Sequence, residues 1–252
     1  MLIFNDKPVN EPTAVEAKDN AEFFRMVAAE LRDDNPAILL FGASDFASWT
    51  VRSQQAVLRY DRRPSDYSHA ALICEWNLKA PEQSWGLQLD PVRVPASQQQ
   101  PEFAGVTPFR LRDLADAAAL PNVAVITVPL KSDERDRVLM AARTPLRDPM
   151  RFPLLRWLST WRAFVSMPES MPHPLLNRVP HPGAAFVAMA YEAADITLIP
   201  GATDLQYCPE LLWANAKYWS DAVRQDVRVF RKLRDESATA PKAKSAPIVA
   251  PE

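Results

Sequence analysis

The side chains in this sequence best suited to covalent chemistry are two cysteines and a histidine. Cys208 lies immediately before Pro209, a residue favoured in the first turn of a helix. A helix N-terminus stabilises a thiolate, and a neighbouring imidazole lowers the pKa of the thiol further. With His69 as the base, Cys208 predicts a thiol hydrolase of peptide, amide or lipid-ester bonds. The alternative is a small, half-buried residue that only begins a helix.

A carboxylate that orients the imidazole would complete such a site. Asp90, inside a strand predicted at 85–94, is one candidate. Glu75 would share the face of His69 in a strand, but a solvated strand-end carboxylate is the simpler interpretation. Cys74, five residues after His69, would point to the opposite face and belong to the core. The alternative for His69 itself is a structural residue held by hydrogen bonds.

Other familiar chemistries lack their motifs. His173 and His181 both precede prolines, and their spacing matches no common zinc pattern. Neither Ser44 nor Ser68 lies in a G-x-S-x-G context, and the five scattered glycines form no phosphate-binding loop. We therefore expect no metal and no cofactor.

Composition narrows the classes of partner. The 252 residues are 48% apolar and 24% charged, which is enough for a normal core. A net charge of -2 argues against nucleic acid as the main partner. No apolar run approaches the roughly 18 residues needed to span a bilayer, and the N-terminus does not resemble a secretory signal. With only two cysteines, we expect a reducing, cytoplasmic location.

Hydrophobic spacing predicts the elements that would position these side chains. A helix opened by a Thr13 and Glu16 capping box precedes a run of helices and buried strands. The strands are predicted at 37–41, 70–74, 85–94 and 123–130. The helices are predicted at 45–57, 111–119, 152–164, 183–195 and 209–233, with a further helix that starts at Ser132. On this last helix, the basic residues from Arg224 to Arg234 are interpreted as a solvated face. This pattern predicts an α+β domain at 36–234, an N-terminal helical extension at 1–35 and a disordered Ala/Pro/Lys tail at 235–252.

Two segments carry a resemblance to a known family. Tyr67-Ser68-His69 begins a core strand, and the segment GAAFVAMAYEAADITLIPG runs from Gly183 to Gly201. Their order and residue types resemble permuted papain-like cysteine hydrolases of the NlpC/P60 superfamily, over about residues 36–220. In that family the second segment is the helix of the catalytic cysteine, and it opens with Cys-Ser-Glu before Phe-Val-Ala and Ala-Tyr.

The resemblance implies a small antiparallel sheet packed against helices, with the base at His69. It places the lost nucleophile at Gly183 and the family's glutamate at Leu89, beside Gln88 and Asp90. The binding cleft it implies is formed by four residues: Tyr67, Ser68, Gln88 and Phe186.

These residues support three functional hypotheses. The first is a degenerate, catalytically inactive hydrolase homologue that binds an amide- or ester-bearing ligand or a protein partner. The second is an active thiol hydrolase that uses Cys208 and His69. The third is an interaction protein whose helical C-terminal half docks a partner.

Overall fold

The computed structural model describes residues 12–31, 33–89, 106–147, 181–202, 206–220 and 227–233, and the single helical positions 159, 163 and 166. The strands within these ranges are β1 Thr13–Val15, β2 Ala37–Gly42, β3 His69–Glu75, β4 Trp85–Gln88, β5 Thr107–Arg110, β6 Asn122–Thr127 and β7 Arg228–Lys232. The α-helices are α1 Asn20–Glu30, α2 Phe46–Gln54, α3 Ser132–Arg147, α4 Pro182–Glu192 and α5 Pro209–Tyr218. Short 3-10 turns lie at Gln55–Leu58, Pro81–Gln83 and Leu111–Leu114.

The strands form one seven-stranded sheet in the order β1-β7-β6-β2-β3-β4-β5. Every pair is antiparallel except β1 with β7, which is parallel. In the centre, Phe41 of β2 pairs with His69 of β3. An α+β fold is therefore confirmed, although the sheet is mixed rather than purely antiparallel.

Helices cover both faces of the sheet, because the central strands are apolar on both sides. Side chains alternate between two cores along β2: Ile38 and Leu40 face one side, and Leu39 and Phe41 face the other. The first core includes residues of α3, α4 and α5, and the second includes Phe23 and other residues of α1. A fully buried strand such as β2 is typical of a sheet covered on both faces.

The N-terminal segment belongs to this same sheet and core. Thr13–Val15 forms an edge strand on β7, so the predicted capping box at Thr13 and Glu16 is wrong. The N-cap of α1 is Asp19, whose carboxylate accepts a hydrogen bond from the Glu22 N–H at 2.7 Å.

The end of the chain also differs from the prediction. The last helix ends at Tyr218, and Arg228–Lys232 is a strand hydrogen-bonded between β1 and β6. The long helix to Leu233, with its solvated basic face, is therefore wrong. In its place, Lys232 is buried and donates to the Asn20 side-chain oxygen at 2.8 Å.

The other predicted elements agree in their centres. The strands around 37–41, 70–74 and 123–130 are β2, β3 and β6, and Asp45 is the N-cap of α2. The predicted helix at 111–119 is shorter, a 3-10 turn at Leu111–Leu114. The tail at 235–252 lies outside the described residues, as does most of the helix predicted at 152–164. Among the helices that the structure describes, none is long and apolar enough to cross a membrane.

Candidate functional site

His69 lies at the first position of β3, with its ring enclosed by neighbours. The ring stacks on Phe41 with centroids 5.1 Å apart and an interplanar angle of 5°. The Ser68 hydroxyl and His69 Nδ1 share a hydrogen bond of 2.7 Å. Ser68 is fully buried and His69 is 8% exposed. The stacking and the hydrogen bond hold the imidazole in place, as expected for a structural histidine.

A second histidine, for which the sequence predicts no role, meets the first. His181 is the N-cap residue of α4, and its ring contacts the His69 ring edge-on at 5.8 Å between centroids. Its backbone N–H donates to the Tyr207 carbonyl at 2.9 Å, which ties the start of α4 to the segment before α5. The signal in the sequence is Pro182, since a proline after a polar residue often marks the first turn of a helix.

Gly183 lies against the strand that carries His69, with no room for a side chain. A Cβ atom built on Gly183 would be 2.3 Å from the carbonyl oxygen of Ala70, the residue after His69. Real Cβ atoms do not approach backbone oxygen this closely, so α4 packs directly on β3 through this glycine. The N-terminus of α4 therefore reaches the His69 region, but a cysteine at position 183 would not fit the packing seen.

The proposed alternative nucleophile is buried. Cys208 is the N-cap residue of α5, as the sequence predicts for a residue before Pro209, but its side chain makes no capping hydrogen bond. It is 1% exposed, and burial raises the pKa of its thiol to about 12. Reactive cysteines have lowered pKa values and partial exposure, so the surroundings of Cys208 oppose the formation of a thiolate.

The other cysteine and the two candidate carboxylates have different surroundings. Burial likewise raises the pKa of the Cys74 thiol to about 12. Cys74 is a core residue, as predicted, and lies in the core formed with α3, α4 and α5. Glu75 accepts a hydrogen bond from the Trp85 indole N–H at 2.7 Å. Asp90 lies outside the described residues. Glu75 is thus engaged by an indole, and the role expected for Asp90 stays a prediction.

The four residues expected to line a binding cleft are mainly core residues. Tyr67, Ser68 and Phe186 are each at most 1% exposed, and Gln88 is half-buried at the end of β4. The Tyr67 ring packs on Trp213 with centroids 5.1 Å apart. Trp213 also lines an open cleft, so this contact connects the segment just before His69 with that cleft.

That cleft, which we call the charged cleft, has a volume of about 950 Å³. Its walls come from α5, from the turn after α2 and from the two strands at one sheet edge. The lining includes three cations and three carboxylates: Arg59, Lys217, Arg231, Asp61, Asp66 and Glu210. Tyr60 and Trp213 contribute aromatic surface. The cleft is open to solvent along one side, so it is a surface groove rather than an enclosed pocket.

A hydrogen-bonded network fixes Glu210 at the wall of the charged cleft. The Ser65 hydroxyl donates to its carboxylate at 2.6 Å, and Arg59 does so at 3.2 Å. The Gln55 side chain accepts from the Glu210 backbone N–H and donates to the Tyr67 carbonyl, both at 2.8 Å. Burial raises the pKa of Glu210, while the bonds from Ser65 and Arg59 act in the opposite direction.

The other charges in the cleft are also held in place. Arg231 donates to the Asp66 carboxylate at 3.0 Å, and Arg59 pairs with Asp61 at 2.9 Å. The Lys217 ammonium lies 5.9 Å from the centroid of the Trp213 ring. The cleft presents positive and negative groups beside an aromatic surface. Among its described lining residues there is no activated nucleophile of the kind that covalent catalysis needs.

Within the described ranges, no group of three or more His, Cys, Asp or Glu side chains is placed to hold a metal ion. Comparison with known proteins gave no match to a protein-family model, to a curated protein or to a solved structure.

Proposed function

We propose that this protein is a non-catalytic binding protein, related in its design to permuted papain-like hydrolases, whose ligand occupies the charged cleft. The observation that carries this proposal is the packing of Gly183 on the Ala70 carbonyl, 2.3 Å from the position of a Cβ. The place where the resemblance puts a nucleophile has neither a thiol nor space for one. What remains beside the His69 region is an open, charged cleft that is suited to recognition.

The chemistry of the cleft favours a ligand that carries both signs of charge and an amide. Lys217 and Arg231 can attract a carboxylate, and Asp61 is a partly exposed carboxylate that can attract an ammonium group. The Trp213 and Tyr60 rings offer a surface for an aromatic or aliphatic side chain. A short peptide or an amino-acid derivative satisfies these features, in keeping with the amide-bearing ligand expected from the resemblance.

The active-hydrolase hypothesis with Cys208 and His69 receives no support from the geometry. Burial raises the pKa of the Cys208 thiol, whereas a catalytic cysteine needs a lowered pKa. These surroundings instead favour the simpler interpretation of Cys208 as a buried residue at a helix start. The third hypothesis, a docking surface on the C-terminal half, has no observation of its own in its favour.

Binding to the charged cleft can be tested by titration calorimetry with the zwitterionic dipeptide glycyl-tyrosine, beside neutral N-acetyl-tyrosine amide. We expect the zwitterion to bind more tightly. Lys217→Gln should weaken its binding about two- to fivefold, the effect of a partly exposed charge pair of about 0.5–1 kcal/mol. Raised salt should weaken it too, since partly exposed charges are screened.

Lys131→Gln is the matched control, because Lys131 is an exposed lysine that does not line the cleft. It should leave the dipeptide affinity unchanged. Equal affinity of the zwitterion for the wild type and Lys217→Gln, or no binding of either peptide at millimolar concentration, would contradict this assignment of the ligand.

A further inference from the structure

A second cavity lies on the face of the sheet that α3, α4 and α5 cover, between the sheet and α5. Its volume is about 220 Å³. Ile38 of β2 and Ile126 of β6 form its floor, and Leu212, Ala216 and Trp219 line it from α5 and its C-terminal end. It shares no lining residue with the charged cleft, so a ligand in this cavity is independent of the proposed function.

Most side chains that line this cavity are apolar, and the indole N–H of Trp219 already has a hydrogen-bond partner. The Trp219 indole N–H donates to the Leu198 carbonyl at 3.2 Å, which leaves the ring itself as the surface offered to a ligand. Asp195 and Thr197 are exposed side chains of the same lining and mark its polar side. Asp195 also accepts a bond from Arg137 at 2.7 Å. An occupant would therefore bury an apolar body and keep any polar group towards this side.

The size of the cavity limits what it can hold. An apolar cavity of about 150 Å³ stays dry and binds benzene. A cavity of about 220 Å³ has room for more than one benzene ring but not for a drug-sized molecule. The cavity opens to solvent at its exposed residues Asp195 and Thr197, so a small ligand can enter it from that side.

We propose that this cavity is a binding site for a small aromatic ligand of one or two fused rings. The ring system lies between Ile126 and Ala216 and contacts Trp219, where an aromatic pair adds to the benefit of apolar burial. A polar edge of the ligand, such as a ring N–H, points to Asp195 and Thr197.

The test uses the full chain and indole as the probe. Binding is followed by the shift of the unfolding temperature, since a ligand that binds only the folded state stabilises it in proportion to its occupancy. Ala216→Leu adds three carbons inside the cavity and should weaken indole binding at least tenfold. Ala47→Leu is the matched control, because Ala47 is an exposed alanine of helix α2 that lines neither this cavity nor the charged cleft.

Because Ala216→Leu could also disturb folding, a second measurement places the probe directly. In the wild type, nuclear Overhauser contacts between indole protons and the methyl groups of Ile126 and Leu212 are expected. Indole that binds without these contacts, or equally well to folded Ala216→Leu, would overturn the proposal. So would tighter binding of octanoate than of indole, which would assign the cavity to an acyl chain. Loss of dipeptide binding through Lys217→Gln would leave this result unchanged, so the two sites can fail separately.

Discussion

Replacing Gly183 by alanine tests the packing on which the proposed function depends. The new Cβ would lie 2.3 Å from the Ala70 carbonyl oxygen and 3.3 Å from the carbonyl carbon. An ordinary contact begins at 3.4 Å, so the helix and the strand must separate by about 1 Å. The obstacle is backbone in the centre of a sheet, which cannot swing aside as a long side chain can.

The cost can be estimated from two opposing effects. Overpacking a well-packed core costs about 1–3 kcal/mol, and a backbone obstacle places this case near the upper end. Alanine regains up to about 1 kcal/mol of helix propensity over glycine. The net loss is therefore about 2 kcal/mol. At about 2–4 °C per kcal/mol for a protein of this size, the unfolding temperature should fall by roughly 4–8 °C.

The assay is thermal and denaturant unfolding of wild type, Gly183→Ala and Gly183→Cys. Both variants should be destabilised, since both add the same Cβ atom. Gly201→Ala is the comparison: its φ is +79° and no heavy atom lies within 4 Å of the added Cβ, so only backbone strain of about 1–2 kcal/mol applies. A Gly183→Ala protein as stable as the wild type would refute the close packing. A stable Gly183→Cys protein that gained hydrolase activity would refute the proposed function as well.

Three further predictions concern buried polar groups. In native protein at pH 7, Cys208 should react with iodoacetamide far more slowly than in denaturant, and rapid native labelling detected by mass spectrometry would contradict its burial. Burial raises the folded-state pKa of Glu210 above 4.5. The protonated carboxyl group therefore stabilises the folded state below pH 4.5, and this stabilisation is lost as the pH rises through the raised folded-state pKa. The unfolding temperature of wild type relative to Glu210→Gln should therefore fall as the pH rises above 4.5, and a difference that is flat or rises with pH would be inconsistent with this. Asn20→Ala should cost about 3 kcal/mol in chemical unfolding, since Asn20 binds the Leu114 carbonyl and the Lys232 ammonium in the core, and a loss below about 1 kcal/mol would contradict that role.

The sequence was a reliable guide where the signal is local. The β2 segment, Ala37–Gly42, is a continuous apolar run after a proline, and such a run specifies a buried strand without reference to the rest of the chain. Asp45 and Pro209 mark helix starts by their own chemistry. The strand that begins at His69 could be placed for the same reason.

The errors arose where distant partners decide the local structure. Arg228–Lys232 places charges at helical spacing, but hydrogen bonds to β6 and β1 make it a strand. Thr13 and Glu16 satisfy a capping pattern, yet pairing with β7 makes Thr13–Val15 extended. In both cases tertiary pairing overrides a plausible local preference.

The candidate site was predictable only in part for the same reason. His69 at a strand start and the helix at Gly183 were both located, but the contact of Gly183 with Ala70 depends on how α4 packs on β3. The Ser65–Glu210 bond joins residues 145 positions apart, so no motif could reveal the charged cleft. Its carboxylates and cations are ordinary surface residues in the sequence and become a site only in the fold.

We propose that the protein binds its ligand without covalent catalysis, and measurements of hydrolysis can contradict this. The rates of hydrolysis of a peptide anilide and of a p-nitrophenyl ester would be measured for wild type, Cys208→Ser and His69→Ala, with inactivation by iodoacetamide recorded in parallel. We predict that wild type hydrolyses neither substrate above the rate of the two variants. Hydrolysis by wild type that disappears in both Cys208→Ser and His69→Ala would establish a thiol hydrolase and contradict this claim.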